Sequence, residues 1–417
     1  MMVTSNTFGV FMARITVRGG VSLSGEVTVS GSKNAALPII FATLLTRGVS
    51  RISGAPDIGD VRVALEIIEG FGASVVRNGR ELIIDTSVLH YARPRDSLVS
   101  AIRASTYLLG SSLSRFGIAE LQSFGGCGFQ TRPIDFHIMA CERFGACLTD
   151  GKLLAHGLSG AHIRFPRASV GATVNAILLA ASAKGKSVIE NYAREPHIFG
   201  LIDFLTSAGA RIAVSDEAIT VEGRELSGGQ TVIEGDAIEA GTYSVMSLLT
   251  GGNIRVHGVE PSALSSFFEP LIECGAELDL TDGIRLYGRL FRPARIVALP
   301  YPAFPTDLQP IAATALALYG GGIIEDRVWQ GRFGYLAALA PFGVRYSAYP
   351  SSAEIYPSEL HAADTVAPDL RGGAAALILA LTAKGESRIS SLETIERGYE
   401  NIEAKLSRLG ADIKIEK

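Results

Sequence analysis

The chain has 417 residues, 47% of them apolar, and a formal net charge of −4 at neutral pH. That length is more than one hydrophobic core usually spans, and it excludes a peptide hormone, a disulfide mini-domain or a disordered tail. The charge balance leaves no basic footprint, so nucleic acid is not an expected partner and any bound anion must be held by a local cluster.

The N-terminal MMVTSNTFGVFMARITV (1–17) shows no cationic lead into an apolar run and no clear cleavage site, which predicts no secretory leader and a cytoplasmic location. ARITVRGGVSLSGEVTVSG (13–31) alternates as strands do. The apolar run KNAALPIIFATLL (33–45) predicts an enclosed helix, SRISG (50–54) a short strand, and DVRVALEIIEGFGA (60–73) a more polar helix ending at Gly72. Alternating strands follow. The same order then recurs, with apolar helices predicted at RASTYLLGSSLSR (103–115), ATVNAILLAASA (172–183), AGTYSVMSLLT (240–250), QPIAATALALYG (309–320) and LRGGAAALILALTA (370–383). None is long enough to cross a bilayer, so no membrane association is expected. Each unit closes on a signature glycine where a left-handed helix cap is easiest: Gly72, Gly145, Gly209, Gly275, Gly343 and Gly410, spaced 73, 64, 66, 68 and 67 residues apart.

Apolar helices beside amphipathic ones predict an α/β architecture turned inside out, a two-lobed α/β barrel of six repeated units with three per lobe. The last unit stops soon after Gly410, and the N-terminal strands are the economical source of its missing strands. One lobe is therefore expected over 34–240, carrying a mobile loop around Cys127, and the other over 1–33 plus 241–417, closed by both termini. Two crossings between lobes make a hinge, and the cleft becomes the place to look for function.

The residues just before the enclosed helices are Lys33 and Asn34, Arg103, the segment from Ser169 to Thr173, Asp307, and Asp369 with Arg371. Aspartates there suit helix capping, but cations oppose the positive end of a helix unless an anion sits there too. Arg132 and Arg397 each lie 13 residues before a signature glycine, at the expected start of their unit's more polar helix, with Arg332 in a similar place, so several guanidinium groups are predicted to converge on one doubly charged anion. Cys127, among glycines in SFGGCGFQTRP, reads either as a packing residue or as a thiol on a mobile loop tuned by nearby cations. Cys141, Cys147 and Cys274 are expected to pack on apolar helix faces. His137 is open between helix-surface hydrogen bonding and substrate contact, and Trp329 between a core aromatic and a lid. No metal-ligand spacing, nucleotide-binding glycine fingerprint or serine nucleophile elbow appears, so no metal is expected.

Together, GSKNAALPI (31–39), RAS (103–105), GGC (125–127), RPIDFH (132–137), SVGAT (169–173), REP (194–196), FPTDLQ (304–309), DLR (369–371) and ERGYENIEAKL (396–406) resemble the enolpyruvyl transferase family, and its nucleotide-sugar branch more than its shikimate branch. The resemblance spans nearly the whole chain. It implies UDP-N-acetylglucosamine and phosphoenolpyruvate as substrates, no cofactor and no obligate protein partner, in the making of peptidoglycan precursors. By matched position it implies that Lys33, Arg132 and Arg397 clamp phosphoenolpyruvate, with Arg103 and Arg371 as supporting cations. Asp307 is implied to orient or deprotonate the sugar hydroxyl, with Asp369 as a second carboxylate, and Cys127 to deliver a proton and to be the site of capture by fosfomycin. Asn34 is implied to hold the sugar, and Asp135, His137, Arg167, Ser169, Val170 and Gly171 the uridine and diphosphate. The chain departs from the family at Phe124, at Phe129–Gln130, at Ala237 within Asp236–Glu239, at His197 in place of a carboxylate, and at Gln330–Gly331. An acceptor other than UDP-N-acetylglucosamine, or a silent nucleotide-sugar binder, stays open at this point.

Overall fold

The computed structural model describes residues 13–125 and 132–416. The six apolar segments form helices Lys33–Ala42, Leu108–Phe116, Val170–Ser182, Ala237–Leu249, Gln309–Leu318 and Leu370–Thr382. In the last of these, every residue from Leu370 to Leu381 is buried. A helix with no polar stripe is stable in water only when enclosed, and small side chains let its neighbours come close. Buried apolar side chains divide into two separate cores. One joins residues of 35–233; the other joins residues of 15–29 with residues of 240–413.

Around the helices lie small sheets whose strands bury alternate residues. In the first unit, Val49–Ser53 runs antiparallel to Glu81–Asp85, which runs antiparallel to Ser74–Asn78, and Gln230–Val232 adds a parallel edge. The same four-strand order recurs around Lys186–Glu190, Gly322–Asp326 and Gly385–Ser390. In that last sheet the N-terminal strand Arg14–Gly19 lies antiparallel between Gly385–Ser390 and Asp412–Glu416, so the two ends of the described chain share one sheet. All six signature glycines are left-handed, with φ from 93° at Gly343 to 120° at Gly275. At Gly72 the turn is closed by two bonds, Gly72 N–H to Glu69 O and Ala73 N–H to Ile68 O.

The chain passes from one core to the other along 29–33 and 233–236, which run side by side. Ser32 N–H donates to Glu234 O at 2.7 Å and Asp236 N–H to Ser30 O at 2.9 Å. A buried carboxylate, Glu239, ties this crossing down: it accepts from Ser30 N–H at 2.7 Å and pairs with Lys405 at 2.5 Å.

Three local expectations are corrected. The segment predicted as a helix from Arg103 starts as a 3-10 turn, Arg103–Tyr107, and becomes α-helical only at Leu108; Ser105 Oγ donates to Val99 O and Ile102 O there, drawing the turn back onto the preceding segment. The helix expected to begin at Arg397 is broken into Leu392–Glu396 and Ile402–Arg408, with Asn401 left-handed, so Arg397 sits at a break instead of at a helix start. Cys147 lies exposed on the strand Cys147–Thr149, whereas Cys141 and Cys274 are buried.

Candidate active site

Asp307 is carried on the 3-10 turn Thr306–Leu308 that leads into the Gln309–Leu318 helix. Arg332 Nη2 meets its Oδ1 at 2.6 Å and Arg371 Nη2 meets its Oδ2 at 3.3 Å. Both guanidinium groups are buried, and Asp307 keeps 30% of its side chain open to the cleft. Burial pushes its pKa up, but Arg332, Arg371 and Lys33 outweigh that and hold the carboxyl well below the usual range. Such a carboxylate is a strong hydrogen-bond acceptor and a weak base. The turn is fixed from behind by the buried Asp326, whose Oδ2 accepts from Thr306 Oγ1 at 2.5 Å and from Gln309 Nε2 at 3.2 Å. Tyr335 OH donates to Gln309 Oε1 at 2.6 Å and joins the Arg332 turn to the same network. Asp369 caps the Leu370–Thr382 helix, its Oδ1 accepting from the Arg371 and Gly372 amides at 2.9 Å each. The buried guanidinium of Arg371 also lies 5.6 Å over the Tyr399 ring.

A second group forms around Asp60, in the first turn of the helix Gly59–Glu69. Lys33 Nζ lies 3.4 Å from its Oδ2 and Arg397 Nε 2.7 Å from its Oδ1. Asp60 contributes to the core of residues 35–233 through its helix, and Arg397 belongs to the other side, so this pair spans the cleft. Lys33 opens its helix behind the cap Ser32, with Asn34 beside it in the first turn. Burial lowers the Lys33 pKa, with Asp60 and Asp307 opposing and Arg371 and Arg397 assisting. The two groups therefore share one electrostatic site.

The third group lies on the 35–233 side. Arg103 Nη2 donates to Arg132 O at 3.1 Å and to Pro133 O at 3.3 Å, holding the turn before the helix Asp135–Arg143. The Arg132 guanidinium stacks 4.5 Å above the ring of Trp329, which comes from the opposite side. His137 is buried, and Asn175 decides its tautomer. Asn175 Oδ1 accepts from Gly110 N–H at 2.6 Å, so its Nδ2 donates to His137 Nδ1 at 2.7 Å and leaves the imidazole proton on Nε2. Burial, helped by Arg103, lowers the His137 pKa to about 3. A side chain on Gly171 would place Cβ 2.6 Å from the His137 ring, so only glycine fits. Ser169 caps the Val170–Ser182 helix through its hydroxyl, accepting from Ala172 N–H at 3.5 Å. Asp135 is exposed in its helix's first turn, and Arg167, also exposed, lies 5.7 Å over Phe136. Cys127 lies outside the described residues.

Sequence reasoning passed over Asp60, Asn175, Asp326 and Glu195. Asp60 looked like an ordinary acid at a helix start, Asn175 stands inside an apolar helix where a polar residue is itself the signal, and Asp326, between Glu325 and Arg327, carries no such mark. Glu195 Oε2 is buried without a hydrogen-bond partner among the described residues, and burial raises its pKa. Two residues on, burial lowers the pKa of His197 to about 4 against the opposing pull of the Asp307 charge.

The family profile of EPSP synthase (3-phosphoshikimate 1-carboxyvinyltransferase) matches residues 17–406. The chain belongs to this family of enolpyruvyl transferases, and its two-core, sheet-wrapped helices are that family's fold. Among its relatives, a protein of Caldanaerobacter subterraneus subsp. tengcongensis named UDP-N-acetylglucosamine 1-carboxyvinyltransferase 3 is 40% identical, over 96% of this chain and 99% of that protein. UDP-N-acetylglucosamine 1-carboxyvinyltransferase of Chlorobaculum parvum is 39% identical, over 97% and 99%. Among solved structures, the enolpyruvyl transferase NikO from Streptomyces tendae superimposes with a TM-score of 0.86 at 26% identity, covering 97% of this chain and 99% of that one. EPSP synthase from Acinetobacter baumannii, 17% identical with a TM-score of 0.72 and covering 97% and 100%, shares the fold.

Proposed function

We propose that the protein transfers the enolpyruvyl group of phosphoenolpyruvate to the 3-hydroxyl of UDP-N-acetylglucosamine, releasing inorganic phosphate, as a step toward peptidoglycan. The observation that carries this is the gathering of Lys33, Arg397, Arg332 and Arg371, from four separate elements of the chain, around two carboxylates in one cleft. A trianionic substrate needs such a cluster, and the relatives' names supply the acceptor. The hydroxyl oxygen adds to C2 of phosphoenolpyruvate while C3 gains a proton, giving a tetrahedral ketal. The C2–O bond to phosphate then breaks, C3 returns a proton, and the double bond re-forms. Preorganised cations lower both barriers by holding the phosphate and carboxylate as charge shifts toward the leaving group.

Lys33, Arg132 and Arg397 take the clamp, with Arg103 positioning Arg132 through its carbonyl and Arg371 as a supporting cation beside Asp307. Asp307, low in basicity while both arginines hold it, acts first as the acceptor that aligns the hydroxyl, with Asp369 fixing the Arg371 helix end. Cys127 is assigned proton delivery and fosfomycin capture. Asn34 faces the sugar; Asp135, His137, Arg167, Ser169, Val170 and Gly171 serve the uridine and diphosphate. The lobes proposed are 34–240 and 1–33 with 241–417, which the two cores support except that the start of the helix Ala237–Leu249 packs with the second core, and a cytoplasmic location fits substrates made inside the cell. Phosphate release from phosphoenolpyruvate is measured with UDP-N-acetylglucosamine, with shikimate 3-phosphate and without acceptor, and the product is weighed. Release with the nucleotide sugar alone, falling about a hundredfold or more in Asp307→Ala, is the expected result. Equal release with another acceptor, or none with any, overturns the proposal.

A further inference from the structure

Trp329 is the only tryptophan in the chain, and its neighbourhood is built more firmly than a surface loop requires. Asp326, 1% exposed, accepts from the Val328 amide at 2.9 Å and the Trp329 amide at 2.8 Å. Its other oxygen holds Thr306, the neighbour of Asp307. One buried carboxylate thus fixes both the Trp329 backbone and the turn that carries Asp307. On the far side of the cleft, Arg103 fixes the backbone of Arg132 through two carbonyls. The guanidinium and the indole meet at 4.5 Å, from two supports that are each locked independently. A planar cation over an indole face is the strongest form of this contact, and it strengthens as water is excluded.

We infer that Trp329 is a positioning residue that holds the Arg132 guanidinium across the cleft, so that bringing the two sides together and presenting this cation to phosphoenolpyruvate are one event. The inference rests on the proposed activity for its kinetic arm and on the geometry alone for its spectroscopic arm. Arg132 loses this aim when the ring face is removed, and keeps most of it when a smaller aromatic face remains.

The test compares wild type, Trp329→Phe, Trp329→Leu, Arg132→Gln and the double variant Trp329→Leu/Arg132→Gln. KM for phosphoenolpyruvate is expected to rise between about twofold and thirtyfold in Trp329→Leu, the span of a cation–π contact, and to return to within about threefold of wild type in Trp329→Phe. In the Arg132→Gln background, Trp329→Leu is expected to add nothing further. Independently, acrylamide quenching of the single tryptophan in the ligand-free protein is expected to rise in Arg132→Gln. Additive effects of the two substitutions, or quenching unchanged in Arg132→Gln, overturn the inference. If no acceptor supports phosphate release, the proposed activity has failed and quenching alone decides the contact.

Discussion

Asn175 is fully buried and joins three helices of one lobe. Its Oδ1 accepts from Gly110 N–H at 2.6 Å, and its Nδ2 faces Thr106 O at 3.0 Å, His137 Nδ1 at 2.7 Å and Gly171 O at 3.3 Å. Asn175→Ala strands the Gly110 amide, an orphan donor in the first turn of its helix, without water to replace the lost oxygen. Leaving such a donor unpaired costs about 1–3 kcal/mol, and each hydrogen bond lost from the amide costs about 1 kcal/mol net. The expected destabilisation is therefore roughly 2–4 kcal/mol, read as a lower urea midpoint with tryptophan-independent circular dichroism. KM for UDP-N-acetylglucosamine is expected to rise at the same time, because His137 and the Val170–Ser182 helix start lose their common anchor. Asn175→Asp supplies a sharper check. Its carboxylate still accepts from Gly110, but it must receive a proton from His137 Nδ1, so it raises the histidine pKa and its penalty shrinks as pH falls. A loss below about 1 kcal/mol in Asn175→Ala, or an aspartate penalty that does not vary with pH, would refute the assignment of this residue as the junction's organiser.

Burial holds the pKa of His137 at about 3 and that of His197 at about 4, both below the value of an unfolded histidine. Between those values the unfolded chain binds the extra protons. Stability is therefore fully present above about pH 6.5 and is lost as pH falls toward 4, by about 1–2 kcal/mol per histidine at pH 5; His197→Gln is expected to flatten part of that slope in urea titrations at several pH values. Arg397→Ala removes one arm of the Asp60 pair and of the anion clamp, so KM for phosphoenolpyruvate is expected to rise tenfold or more while nucleotide-sugar binding, followed by calorimetry, changes less than threefold; equal losses for both ligands would place Arg397 elsewhere.

Much of the architecture was legible before any coordinates because its signals are local. An all-apolar helix, a glycine that must turn left-handed and an alternating strand each declare themselves within a dozen residues, and six repetitions of the same order made the units countable. The resemblance then supplied roles for residues such as Lys33, Asp307 and Arg397. What local pattern does not carry is the meeting of side chains far apart in the chain. Asp60 and Arg397 stand 337 positions apart, and no spacing rule distinguishes that aspartate from any other acid in a first helical turn. The same holds for the stacking of Arg132 on Trp329 and for Asn175 beneath His137. Those contacts exist because two independently cored lobes face each other at one angle, and electrostatics and close packing act through space over a few ångströms, without regard to distance along the chain.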